Sequence, residues 1–284
     1  MKTFYAVALL GLLLAVSCKK NDTHTTAGNP GGSTVVDSTE YLLKTVESTH
    51  ADSMVFLYDT GKVFRGMAWE YDYNGVPTIE SYFLENTGGI LQSINQGTDT
   101  TGAGASILYG FEYAGNGQLN VSNYYQYGSP YSYDSLAYDA SGHISVVYSY
   151  SGNQTSTHVL NSVSVLTWDT SGDMVQLLTG DSLAGLATNY ALKAVCTYDT
   201  KINPYLTINA AFLLTVESGY DWFLLSKHNV TSIAVTSVDP GSLTTSTLTD
   251  TYVYTYDTYG NPATAVITTN PGGTVTENFV YGWK

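Results

Sequence analysis

Along much of this chain, large apolar residues and small polar ones alternate. Tyr252, Tyr254 and Tyr256 fall on one side of an extended segment, and Thr251, Val253 and Thr255 on the other. The same alternation gives Met54/Phe56/Tyr58, Met67/Trp69/Tyr71, Tyr109/Phe111/Tyr113 and Phe279/Tyr281/Trp283. Successive side chains of a strand point to opposite faces, so each set predicts a strand with an aromatic or apolar stripe. Thr and Ser fill the opposite face, where water is tolerated, and the pattern predicts antiparallel pairing with one face buried or stacked. Neighbouring stripes meet as cross-strand aromatic pairs, each contributing roughly 0.2–1 kcal/mol beyond Ala–Ala.

The strands are punctuated by a recurring reversal: an aromatic, Asp, two spacers and Gly. It reads Tyr71-Asp72-Tyr73-Asn74-Gly75, Tyr138-Asp139-Ala140-Ser141-Gly142, Trp168-Asp169-Thr170-Ser171-Gly172 and Tyr256-Asp257-Thr258-Tyr259-Gly260. The Asp carboxylate accepts a backbone N–H two residues on, and Gly takes positive φ without a steric cost. Tyr113-Ala114-Gly115-Asn116-Gly117 fits without the Asp, and Tyr198-Asp199-Thr200-Lys201-Ile202 fits without the Gly. Aromatics at 138, 168, 198 and 256 are spaced by 30, 30 and 58 residues, the last close to two periods of one hairpin each. Turn capping accounts for the Asp, the Gly and their spacing without a row of ligands. The fold class expected is all-β: repeated antiparallel hairpins in a large curved or wrapped sheet, whether open, sandwiched or closed.

One segment breaks the rhythm. Tyr205 to Glu217 is largely apolar, with Leu206, Ala210, Leu213 and Leu214 at helical spacing between Asn203-Pro204 and Ser218-Gly219. That predicts a short helix or irregular plug near 204–224. Tyr220, Trp222 and Phe223 follow, and they read either as cover for the core or as a recognition patch.

Met1-Lys2, the apolar run Phe4–Val16 and Ala15-Val16-Ser17-Cys18 have the layout of a signal peptide. The run is too short to span a bilayer. Its end resembles the lipobox of bacterial lipoproteins, with Ala15 where Leu is usual. The resemblance implies cleavage before Cys18 and acylation of Cys18, the lipid attachment residue, whereas an ordinary secretory signal would leave Cys18 without lipid. More than one acyl chain makes a stable anchor. Expected domains are therefore 1–17 signal peptide, 18–39 lipidated Cys and Thr/Asn/Gly-rich tether, and 40–284 a single β-rich domain. Cys18 is not followed by Asp, so the expected address is the outer membrane, on its periplasmic or cell-surface side.

Composition narrows the function. Net charge is −14 with only 10 Lys+Arg, too few and too scattered to neutralise a phosphate backbone, which argues against nucleic acid. Charged residues make up 12% and aromatics 13%, with 25 Tyr, a skew that fits an envelope protein. With Cys18 acylated, Cys196 has no disulfide partner and reads as a small buried hydrophobe. No nucleophile elbow, metalloprotease helix or phosphate-cradling loop occurs. The five histidines have no close metal-ligand spacing, and His143, after a turn Gly, reads as solvated. No catalytic residue, metal or cofactor is expected.

Asn203-Pro204-Tyr205, Leu225-Ser226-Lys227-His228-Asn229 and Tyr254-Thr255-Tyr256-Asp257 resemble a family of uncharacterised Gram-negative envelope lipoproteins. His228 stands where that family usually has Asn. The resemblance covers about the C-terminal third and implies an all-β lipoprotein fold without an activity. The Tyr-Asp turns are also similar to the YD repeats of large secreted shell proteins, although the Arg and Tyr positions that define those repeats are missing. The expected function is a non-catalytic envelope module that binds a glycan or an envelope protein, or scaffolds. The alternative is a glycan hydrolase using paired carboxylates among Glu70, Glu80, Glu85 and Glu112.

Overall fold

A computed structural model describes residues 41–283, apart from 50–51, 75, 156–157, 217–220 and 240–241. Sixteen strands follow in chain order: β1 (Tyr41–Ser48), β2 (Ser53–Tyr58), β3 (Phe64–Tyr73), β4 (Val76–Thr87), β5 (Ile90–Gly97), β6 (Ser106–Tyr113), β7 (Leu119–Gln126), β8 (Ser129–Tyr138), β9 (Ile144–Ser151), β10 (Val159–Trp168), β11 (Met174–Gly180), β12 (Leu192–Ile202), β13 (His228–Val238), β14 (Thr245–Tyr256), β15 (Pro262–Asn270) and β16 (Thr274–Trp283). Each pairs antiparallel with its sequence neighbours, and β1 pairs with β16 (Val46 opposite Phe279), closing a barrel. Closure leaves no strand edge exposed for unwanted pairing.

In such a meander the turns alternate between two rims, so one hairpin period returns the chain to the same rim. That explains the spacing of 30 between Tyr138, Trp168 and Tyr198, at or near the ends of β8, β10 and β12. The gap of 58 to Tyr256 is not two periods. It is one hairpin enlarged by the segment between β12 and β13.

The Asp-opened turns have a shared geometry. Asp139 Oδ1 accepts from Ser141 N (2.8 Å) and His143 N (2.9 Å), and Gly142 sits at φ 88°. Asp169 and Asp257 repeat the pattern, with Gly172 at φ 89° and Gly260 at φ 88°. The copy at 71 is different. Asp72 lies within β3, opposite Pro77, and Tyr73 pairs with Val76; Gly75 lies outside the described residues. A copy not expected from the sequence occurs at Tyr58-Asp59, where Asp59 Oδ1 accepts from Val63 N (2.9 Å). There the Gly is one position early, and Lys62 carries the positive φ of 61°.

The apolar stripes face inward. Met54, Phe56, Met67, Tyr82, Ile94, Phe111, Leu136, Val147, Leu166, Leu177, Cys196 and Ile233 belong to one core cluster. Its centre is the insertion between β12 and β13: a 3-10 turn Pro204–Thr207, helix α1 (Ala210–Val216) and a second 3-10 turn Asp221–Leu225. Asn203 caps the first turn by accepting from Tyr205 N, with Pro204 directly behind it. Phe212 of α1 is 0% exposed and meets the rings of Phe64 (5.1 Å) and Tyr82 (6.5 Å) edge-on. Tyr205 packs on Phe56, and Phe223 on Tyr252. Contacts to β2, β3, β4 and β14 place the insertion inside the bore.

The outer face of β13 to β15 is polar. On β14, Thr247, Thr251, Val253 and Thr255 are exposed, while Asp250 is buried and Tyr252, Tyr254 and Tyr256 are half-buried. Outward Thr pairs link neighbouring strands: Thr236 with Thr247 (3.2 Å), Thr255 with Thr264 (2.7 Å) and Thr268 with Thr274 (3.3 Å).

Candidate functional site

The residues behind the lipoprotein resemblance build a latch for the bore insertion. Asn203 Nδ2 donates to the carbonyls of Leu224 (2.8 Å) and Ser226 (2.9 Å), tying the entry of the insertion to its exit. Ser226, 0% exposed, accepts from Met174 N (3.0 Å) and donates to Tyr198 Oη (2.9 Å). Asp173, 3% exposed, accepts from His228 N (2.9 Å) and sits 2.7 Å from His228 Nδ1. Asn229 Nδ2 reaches Lys201 O (3.3 Å) and Tyr256 Oη (3.4 Å), and Tyr256 Oη donates to Asp199. His, Asp and Ser therefore meet here, but the Ser hydroxyl is fully buried and committed to structural bonds. The arrangement fastens the chain; it does not present a nucleophile.

Of the expected recognition patch, Phe223 is buried at 8% exposure and Trp222 is partly buried against the core. Tyr220 and Cys18 lie outside the described residues. Trp222, Leu214 and Thr215 line a cavity against Leu119, Ser122, Asp134, Leu136 and Val147 of the wall. Its volume, about 10 Å³, is no more than one water needs.

The four glutamates do not converge. Glu80 faces the bore, accepting from Tyr71 Oη (2.8 Å) and Tyr82 Oη (2.9 Å). Glu70, Glu85 and Glu112 have the opposite parity and face outward. Asp134 and Asp250 also face the bore. Burial raises the pKa of Asp134, partly offset by a hydrogen bond from Ser149. Asp250, 1% exposed, is also raised by burial; Thr269 donates to its Oδ1 (2.6 Å), while its Oδ2 lacks a partner. Cys196 is buried as expected, and desolvation pushes its thiol up to about 11. His143 stacks on Trp168 (4.9 Å between ring centres, 18°), with Nδ1 3.3 Å from Asp139 Oδ2. Among the described residues, no group of His, Cys, Asp and Glu is arranged to hold a metal ion.

One outward cluster is not anticipated by the sequence reading. The register aligns Gly110, Asn123, Tyr133, Tyr150 and Leu160 as one row across β6 to β10. Tyr133 and Tyr150 stack at 4.7 Å and 14°, and the His158 ring stands edge-on to both at 5.8 and 5.3 Å. Beside them Glu112 Oε1 accepts from Asn123 Nδ2 (2.9 Å) and from Gln154 Nε2 (2.7 Å), which also donates to Asn123 Oδ1 (3.1 Å). A signal was present: Tyr131 and Tyr133 have the opposite parity from Leu136 and Tyr138 in the same strand.

No protein-family model matches the chain, and no curated protein matches its sequence. Solved structures do. A porin-like protein from Bacteroides uniformis is 11% identical over 84% of this chain and 98% of its own, with a TM-score of 0.52. A porin-like protein from Bacteroides vulgatus is 10% identical over 85% and 98%, with a TM-score of 0.40. The TcdB2-TccC3 structure is 11% identical over 80% of this chain, but only 10% of that chain is covered, at a TM-score of 0.32. The Bacteroides uniformis structure shows that the chain shares the fold of a porin-like barrel.

Proposed function

We propose that this chain is a lipid-tethered outer-membrane module, and that its barrel stands in water as a non-conducting binding or scaffold unit. One observation carries the reading: over β13 to β15 the wall is patterned the wrong way round for a lipid-embedded pore. A membrane barrel has an outward apolar band about 25 Å tall and a polar interior. A 16-stranded porin also encloses an aqueous channel. Here Thr and Ser dominate the outer face of β13 to β15, while Phe, Met, Leu and Tyr line the bore. The bore is occupied by α1 and its flanking turns. Anchoring then falls to the N-terminus, through Cys18 and the tether 18–39, and the porin-like fold supports an outer-membrane address.

The paired-carboxylate hydrolase gains no support from the glutamate positions. The tethered-module reading is tested by replacing Cys18 with Ser and following incorporation of labelled palmitate and partition into the outer membrane. Loss of both is expected. Continued membrane partition of C18S without label, or discrete conductance steps from the purified chain in planar bilayers, contradicts the reading.

A further inference from the structure

We infer that the outward row across β6 to β10 is a platform for a neutral glycan. This rests on the reading above that the wall faces water. A sugar ring offers an apolar C–H face and a rim of hydroxyls, so its receptor needs ring surfaces beside planar hydrogen-bonding groups. Tyr133, 8% exposed, forms the base of the stack; half-buried Tyr150 and exposed His158 are its solvent-facing rings. In the same row Asn123, 9% exposed, joins Glu112 and Gln154 in a fixed set of amide and carboxylate groups.

Both halves are positioned before any ligand arrives. In the β9–β10 connection, residues 152–155 fold back over the wall, so that Gln154 bonds residues 42 and 31 positions away in sequence. Gly152, at φ 82°, starts that fold, its N–H donating to Tyr131 O at 3.0 Å. At the end of the row, a Cβ on Gly110 would lie 3.1 Å from the Tyr125 ring, so the missing side chain lets that aromatic settle on the wall. The connection belongs to the rim opposite the start of β1 and therefore opposite the tether's attachment. That orientation directs the row away from the anchoring end.

Charge selects among ligands that aromatics and amides could bind. Between Arg65 and Lys193 the chain has no Lys or Arg, a stretch that covers the whole of this wall. An anionic polysaccharide, a phosphate-rich polymer or an anionic lipid surface would meet acidic groups with no nearby counter-charge. A neutral oligosaccharide meets no such penalty, and its hydroxyls can donate to the Glu112 carboxylate and to the side-chain carbonyl of Gln154.

The test uses the full chain, purified in mild detergent, on an array of neutral and anionic oligosaccharides, followed by calorimetry with the strongest neutral binder. Binding should be nearly unchanged between low and high salt. Tyr150→Ala and Gln154→Ala should each weaken it on the order of tenfold, with the thermal midpoint within a few degrees of the parent, and Thr251→Ala on the far wall should leave it intact. The platform is overturned by no neutral binding, by affinity for anionic glycans alone, by binding unaffected in Y150A and Q154A, or by binding only basic peptides in a salt-sensitive way. A spin label at Val253→Cys separates the two failures. Water contact there with no glycan binding removes the platform alone, whereas lipid contact removes the water-facing reading as well.

Discussion

The phenol of Tyr198 donates to the carbonyl of Met174, 2.6 Å away on the neighbouring strand. Three other aromatic–Asp turns on this rim make an equivalent bond to the strand before them. Tyr138 reaches Leu119 O (2.8 Å), Tyr58 reaches Leu43 O (2.8 Å), and Trp168 uses its indole N–H on Ile144 O (2.7 Å). The aromatic therefore packs inward with its ring while its polar tip secures a rim carbonyl. Tyr256 departs from the series, donating to Asp199 instead, at the point where the bore insertion displaces β13.

Tyr198 also accepts from Ser226 Oγ, so its hydroxyl joins the barrel wall to the insertion. Removing it leaves a buried carbonyl and a buried hydroxyl each short of a partner. Tyr198→Phe should lower stability by about 2–3 kcal/mol, and Tyr138→Phe, which loses one bond, by about 1 kcal/mol. Urea denaturation of the two variants checks the ratio. Equal losses would contradict the double role of Tyr198.

Phe212 is the bore's central side chain, 0% exposed between Phe64 and Tyr82. Phe212→Ala should cost about 3–5 kcal/mol, because the closed wall around it cannot collapse into the space. Thermal unfolding gives the measurement. A loss below 1 kcal/mol would mean that α1 is not part of the cooperative core.

Asp134 and Asp250 have carboxyls raised by burial, so the folded state holds their protons more tightly than the unfolded chain. The stability this gives is present below the unfolded carboxylate pKa, near 3.9, and is lost as pH rises through the folded values. The exposed Asp59, Asp99 and Asp139 are lowered, first by hydrogen bonds in their own turns, and act in the opposite sense, losing their contribution as pH falls through their folded values. Asp250→Asn should therefore stabilise the barrel at pH 7 relative to the parent and flatten the decline above pH 4. Urea midpoints across that range test it; an Asp250→Asn profile that stays parallel to the parent's would refute the assignment.

The Cys196 thiol, buried and raised to about 11, should resist iodoacetamide at pH 8 in the native protein and react fully in denaturant. Mass spectrometry before and after unfolding gives the answer. Rapid native labelling would place Cys196 outside the core.

Much of this architecture is written in the chain. Strand parity at Tyr252/Tyr254/Tyr256 and the turns at Asp139, Asp169 and Asp257 follow from local chemistry, and Asn203-Pro204 marks where the bore insertion begins. The Tyr58-Asp59 turn is harder to read because its Gly is displaced and Lys62 adopts the left-handed conformation. Asp72 misleads because a Tyr-Asp pair has the same letters whether it opens a turn or continues a ladder. Closure joins Val46 to Phe279, a contact between the two ends of the domain to which no local signal points. The row on β6 to β10 depends on register across five strands, so its members are scattered over fifty residues of sequence.

The central claim is that the wall faces water. Val253 is 62% exposed at the middle of the outward Thr face, between Thr251 and Thr255. A nitroxide at Val253→Cys, in the full chain reconstituted into lipid vesicles, reports directly on what that face meets. The account predicts strong relaxation by a water-soluble nickel chelate and weak relaxation by oxygen, with the label mobile; dominant oxygen access with exclusion of the chelate would show a lipid-embedded wall and contradict it.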